Sequence, residues 1–180
     1  CIRDRFYTRH GQFIYGEPAG LDAGYDWPQY SIHRGDLQMA LWAAVRQRLG
    51  DDCVTVNARC TGVEQDADTV TARFKDNNGN ALPPVRGRIA VGCDGIHSAL
   101  RKQLYPQEGA PRYSGVNMWR GTTRCKPFLS GASMVRAGWL STGKMVIYPI
   151  RDNIDANGDQ LVNWVAEIEA AEPAVRDWNR

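Results

Sequence analysis

Ile89-Ala90-Val91-Gly92-Cys93-Asp94-Gly95-Ile96-His97-Ser98-Ala99-Leu100-Arg101 is the stretch whose reading decides the fold. It reads as a buried strand, a tight Asp-Gly turn, and a helix capped by Ser98 that presents Arg101 one turn in. Apolar and small residues run without alternation at its start, as in a strand covered on both faces. Gly92 and Gly95 supply either positive φ or close backbone approach, and Ser98 suits an N-cap three residues before Arg101. Such a unit aims free backbone N–H groups at an anion, and phosphate fits it. An ordinary strand-to-helix connection would carry the same isolated Asp-Gly turn.

Working outward, Ser31-Ile32-His33-Arg34-Gly35-Asp36-Leu37-Gln38 opens a second helix. Leu37, Leu41, Ala44, Val45 and Leu49 follow helical spacing, and Gly50 stands where a C-terminal cap belongs. Arg34 thus sits just ahead of a helix N-terminus, where its cation adds to the partial positive charge of the helix end and suits a diphosphate. The alternative for Arg34 is a surface ion pair with Asp36 or Asp4.

The remaining chain falls into two parts. Cys53–Val56 and Val70–Lys75 read as strands, Asp76–Asn80 as a turn, and Pro83-Pro84 delay a return strand until Arg88–Val91. The helix after Ser98 stops at Tyr105-Pro106. From Tyr113 onward, Met118–Thr123, Lys144–Ile150 and Gln160–Val165 read as strands of one sheet. The first 30 residues show no clear strand–helix unit. The expected class is α/β (α+β).

Composition sets bounds. A net charge of +2 is too slight to imply nucleic acid or an anionic membrane surface, and the cations are scattered. No apolar run is long enough to span a bilayer and no secretory signal opens the chain. Five cysteines, widely separated and without a C-x-x-C, argue against a disulfide framework or zinc site and fit a cytoplasmic protein. His10, His33 and His97 share no metal-ligand spacing, and Cys93 has no paired His for nucleophilic work. Trp119, Trp139, Tyr148 and Trp164 either line a pocket for a planar ring or fill core. Arg120 and Arg136 either hold a substrate carboxylate or are solvated.

Gly92-Cys93-Asp94-Gly95 followed by His97-Ser98 and Arg101 resembles the "DG" fingerprint of the FAD-dependent aromatic hydroxylases, the para-hydroxybenzoate hydroxylase group of flavoprotein monooxygenases. Arg34-x-x-Leu37 resembles a second pattern of that family. Met118-Trp119-Arg120-Gly121, Tyr148-Pro149 and Val162-Asn163-Trp164-Val165 are most similar to its phenazine-carboxylate branch. The resemblance implies that Arg34, Gln38, Asp94, Gly95, Ser98 and Arg101 bind FAD or face its pyrophosphate, with no catalytic protein nucleophile. It also implies reduction by NAD(P)H and oxygen transfer from a flavin C4a-hydroperoxide to a small aromatic substrate.

The same resemblance implies the middle of an FAD-binding Rossmann-like domain over 1–110 and part of a β-sheet substrate domain over 111–180. The family's G-x-G-x-x-G turn is absent, and Gly158-Asp159 is a poor substitute for its late Gly-Asp motif. An internal fragment is therefore expected, inactive alone and prone to self-association through faces meant to be covered. A flavin oxidase or reductase of the same fold would share every motif. So, in part, would a non-catalytic β-rich remnant that binds a partner.

Overall fold

The computed structural model describes residues 3–174. In chain order the elements are β1 (Arg3–Tyr7), β2 (Phe13–Glu17), α1 (Arg34–Leu49), β3 (Arg59–Gln65), β4 (Val70–Lys75), β5 (Ala81–Gly87), α2 (Ala99–Leu104), β6 (Val116–Cys125), β7 (Ser133–Trp139), β8 (Gly143–Arg151) and β9 (Gln160–Glu169). They divide into two compact units, Cys1–Leu41 with Tyr113–Arg180, and Trp42–Arg112, the division falling within α1.

The first unit is a six-stranded sheet in the order β2-β1-β7-β8-β9-β6. Every pairing is antiparallel except β1 with β7. The three strands expected after Tyr113 are present as β6, β8 and β9, and β7 joins them. Alternation puts Val135, Met145, Ile147, Val162 and Trp164 around one apolar hollow of about 540 Å³. Gly121 lies opposite Trp164 in the ladder, and the indole covers it so closely that a Cβ on Gly121 would stand 2.4 Å from the ring.

The first 30 residues supply two strands that periodicity does not reveal. Each is five residues long and carries charges or exposed aromatics. Cross-strand contacts hold them: Phe6 stacks on Tyr15 with centroids 4.4 Å apart, and the Arg136 guanidinium lies over the Phe6 ring.

The second unit is an antiparallel meander of β3, β4 and β5 with α2 beside β3. Gln103 of α2 fastens the two: its side-chain amide donates to the Val63 carbonyl and its oxygen accepts the Val63 N–H at 3.0 Å.

Three expectations are corrected. Cys53–Val56 is not a strand; Asp51–Cys53 forms a single 3-10 turn and the chain then runs without a ladder partner. The return strand is β5, with Pro83 and Pro84 inside it, because an edge strand tolerates residues that cannot donate. Ile89–Val91 forms no strand, and Ile89 and Val91 are 81 % and 79 % exposed. A strand covered on both faces needs flanking neighbours, and the described residues provide none there. For the same reason Leu37, Leu41 and Leu49 of α1 are exposed although their spacing marks a face for burial.

Candidate functional site

The Asp-Gly turn forms as the sequence implies. Gly95 adopts φ +74°, with open space where a Cβ would be, so its backbone is accessible to a ligand. Gly92 serves the other purpose, close approach: a Cβ there would meet Leu100 Cδ1 at 2.7 Å. Asp94 and Ser98 form a double cap on α2. The Ser98 hydroxyl donates to Asp94 Oδ1 at 2.5 Å and accepts the Arg101 N–H at 2.9 Å, while the Ala99 N–H donates to Asp94 Oδ2 at 2.7 Å. These bonds, led by the one from Ser98, hold the Asp94 carboxyl below the usual carboxylate range.

This overturns the expectation that α2 aims free N–H groups at an anion. Its first-turn donors are consumed by Asp94 and Ser98, because two short acceptors directly precede the helix. Arg101 is likewise engaged: its guanidinium forks onto the Glu108 carboxylate, with Nε 2.6 Å from Oε2, and lies over the Tyr105 ring. What the turn exposes is the Gly95 backbone.

Ser98→Ala should lower stability by about 1 kcal/mol, the usual effect of losing a cap, read as the midpoint of urea denaturation. Because the Asp94 pKa is depressed by folding, its contribution is present above the ordinary carboxylate pKa and fades as pH falls through the lowered value. The Ala99 amide proton should therefore keep its exchange protection at pH 5 and lose it only as pH falls below the ordinary carboxylate range. Loss of protection already at pH 5 would contradict the cap.

The N-terminus of α1 is built differently. The helix is 16 residues long and starts at Arg34. Its entry is fixed by the His33 N–H donating to the Ile150 carbonyl at 3.0 Å and by the Leu37 N–H donating to His33 O at 3.1 Å. Both acids that offered Arg34 a surface ion pair are taken: Asp36 by Arg151, Asp4 by Arg136 at 2.9 Å. Arg34 is exposed and makes no hydrogen bond or ion pair among the described residues. Gln38, one turn further on, shares its face. A free guanidinium and a carboxamide at the end of a long helix are the donor set that a diphosphate requires. The residues present thus fit a dinucleotide cofactor at α1.

Arg151 has no counterpart in the sequence reading. It lies 115 residues from Asp36, and no local pattern links the two. Its hydrogen bond is the largest cause holding the Asp36 carboxyl below its ordinary range.

In the six-stranded sheet Arg136 is committed to Asp4 and Phe6, whereas Arg120 donates only to the Met118 thioether among the described residues. Trp119 and Trp139 are exposed; Trp164 lines the apolar hollow and Tyr148 is half-buried. Among the described residues no group of His, Cys, Asp and Glu is placed to hold a metal ion, and no helix is long and apolar enough to cross a membrane.

Comparison with known proteins adds the following. The family model described as an FAD binding domain matches residues 16–168. A phenazine 1,6-dicarboxylic acid hydroxylase of Lysobacter antibioticus is 36 % identical over 165 residues, covering 91 % of this chain and 40 % of that protein. A 3-amino-4-hydroxybenzoate 2-monooxygenase of Streptomyces platensis is 35 % identical over 128 residues, covering 70 % and 30 %. The solved structure of the flavin-dependent monooxygenase PieE with FAD and substrate superposes with a TM-score of 0.56 at 17 % identity, covering 98 % of this chain and 32 % of that one. The last is a likeness of fold. The chain spans at most two-fifths of the length of these relatives.

Proposed function

The chain belongs to the FAD-dependent aromatic hydroxylase family, and from that premise we propose that the protein carrying it hydroxylates a small aromatic acid using NAD(P)H and O₂. The observation that carries this reading is Arg34: a guanidinium without a partner among the described residues, at the start of a 16-residue helix, on the same face as Gln38.

In this reading Arg34 and the N-terminal N–H groups of α1 hold the cofactor's diphosphate, and Gln38 donates to it from the next turn. Among Asp94, Gly95, Ser98 and Arg101, Gly95 is proposed as the cofactor contact and the other three as residues that hold its turn in place. Gly95 offers open backbone, while Asp94 and Ser98 keep the turn in shape and Arg101 braces the exit of α2 through Glu108. FAD, when bound, supplies the electron transfer and oxygen chemistry. The chain's own share is to bind, orient and exclude water, and no protein nucleophile is involved.

The substrate class follows from two supports. The relatives' names specify a phenazine dicarboxylic acid and a hydroxybenzoate, both aromatic acids. On this chain Arg120 is a guanidinium held only by a thioether among the described residues, so it is available for bidentate recognition of a carboxylate.

The test is product analysis under ¹⁸O₂ with the FAD-loaded protein, NADPH or NADH, and a panel of hydroxybenzoates and phenazine carboxylates. One labelled oxygen in the aromatic product is expected. Reductant consumption that yields only hydrogen peroxide with every acid would place the protein among oxidases and overturn the proposal.

A further inference from the structure

Resting on the reading of α1 as the helix that holds the diphosphate, we propose that Arg151 is a positioning residue for cofactor binding. It cancels the charge of Asp36 and so keeps the start of α1 attractive to an anion. Asp36 is the third residue of α1. An acid in a first turn interacts favourably with its own helix end, but it competes with an arriving anion for the same N–H groups and the same field. Arg151 answers this with a two-pronged grip: Nε lies 2.9 Å from Oδ2, and Nη2 contacts Oδ1. The other titratable group facing the carboxylate among the described residues is His33, with Nδ1 3.6 Å from Oδ1.

The backbone is shaped to deliver this contact. The β8–β9 register slips between Pro149 and Arg151, so Ile150 is the extra residue of a bulge. Bulges re-aim side chains. The Ile150 carbonyl receives the His33 N–H, and the next residue, Arg151, reaches Asp36. Two consecutive residues of a sheet strand thus set the entry of α1. The pair is about half exposed on both sides, where an ion pair adds little to stability. Its consequence is local: it keeps Asp36 from capturing Arg34 and removes a negative charge from an anion's path.

Charge compensation implies opposite effects for the two partners, which a mere tether does not. FAD affinity of the protein carrying this chain is measured by flavin fluorescence titration for wild type, Arg151→Gln, Asp36→Asn, the double variant and Arg34→Ala, with thermal melts to verify folding. Arg151→Gln should weaken FAD about 5- to 20-fold, the size of one uncompensated charge at close range in partly screened surroundings. Asp36→Asn should bind FAD as tightly as wild type or up to about threefold tighter, and the double variant should return to within about twofold of wild type.

Wild-type affinity in Arg151→Gln would overturn the proposal. So would equal weakening in Asp36→Asn and the double variant, which marks a tether without charge compensation. If Arg151→Gln fails to fold, Asp36→Asn alone decides, since weakened binding there contradicts the proposal. Arg34→Ala separates the premise from the inference. Unchanged FAD affinity in that variant overturns the reading of α1 itself; weakened affinity there with unchanged affinity in Arg151→Gln overturns only the role of Arg151.

Discussion

Replacing Arg34 with alanine should weaken FAD binding about 10- to 100-fold, the equivalent of the roughly 1.5–3 kcal/mol carried by hydrogen bonds to charged groups. The structure sharpens this expectation. An arginine already held by a carboxylate must break that pair before serving a phosphate, and part of its gain is lost. Arg34 has no such pair among the described residues, since Asp36 is held by Arg151 and Asp4 by Arg136. Its substitution also leaves no buried group stranded, because the side chain is exposed. The loss should therefore fall on the cofactor and not on folding: flavin fluorescence titration should show the weaker dissociation constant while the melting temperature without FAD stays within about 1 °C of wild type. Arg34→Lys should recover only part of the loss, because an ammonium cannot fork two phosphate oxygens. An unchanged dissociation constant in Arg34→Ala would make Arg34 a solvated surface residue.

Gly121→Val should lower the melting temperature by about 5–10 °C, corresponding to about 2–3 kcal/mol of overpacking. The Trp164 indole lies across Gly121 on the neighbouring strand, and even the first carbon of a side chain would stand 2.4 Å from Cζ2 and 2.8 Å from Cε2. A rigid aromatic ring cannot yield as a flexible chain end would. It must leave the apolar face shared with Met145, Ile147 and Val162, or the β6–β9 ladder must part. Near-UV circular dichroism should lose the Trp164 contribution at the same time. A melting temperature and aromatic spectrum equal to wild type would show that the indole is not held over Gly121.

Some of the molecule is legible residue by residue. The Ser98 cap, the positive φ of Gly95, the extent of α1 up to Gly50 and the strands β4, β6, β8 and β9 follow from short-range chemistry, which a sequence states openly. The family is legible for the same reason, because its Asp-Gly and Arg-x-x-Leu patterns are local. Three things were not local. β1 and β2 are too short to show a period, and they exist because β7 offers β1 a parallel partner and Phe6 stacks on Tyr15. Ile89–Val91 has the composition of a buried strand, but a strand is made by its neighbours and the described residues flank it with none.

The Asp36–Arg151 pair joins positions 115 residues apart, through a bulge that no motif announces. The sequence by itself determined which residues could meet an anion, since that depends on side-chain chemistry and on capping within one turn. Only the tertiary structure decided which of them are free to do so. It gave Arg136 to Asp4 and Asp36 to Arg151, and left Arg34 without a partner among the described residues, because ion pairs form between groups that folding, not sequence order, makes adjacent.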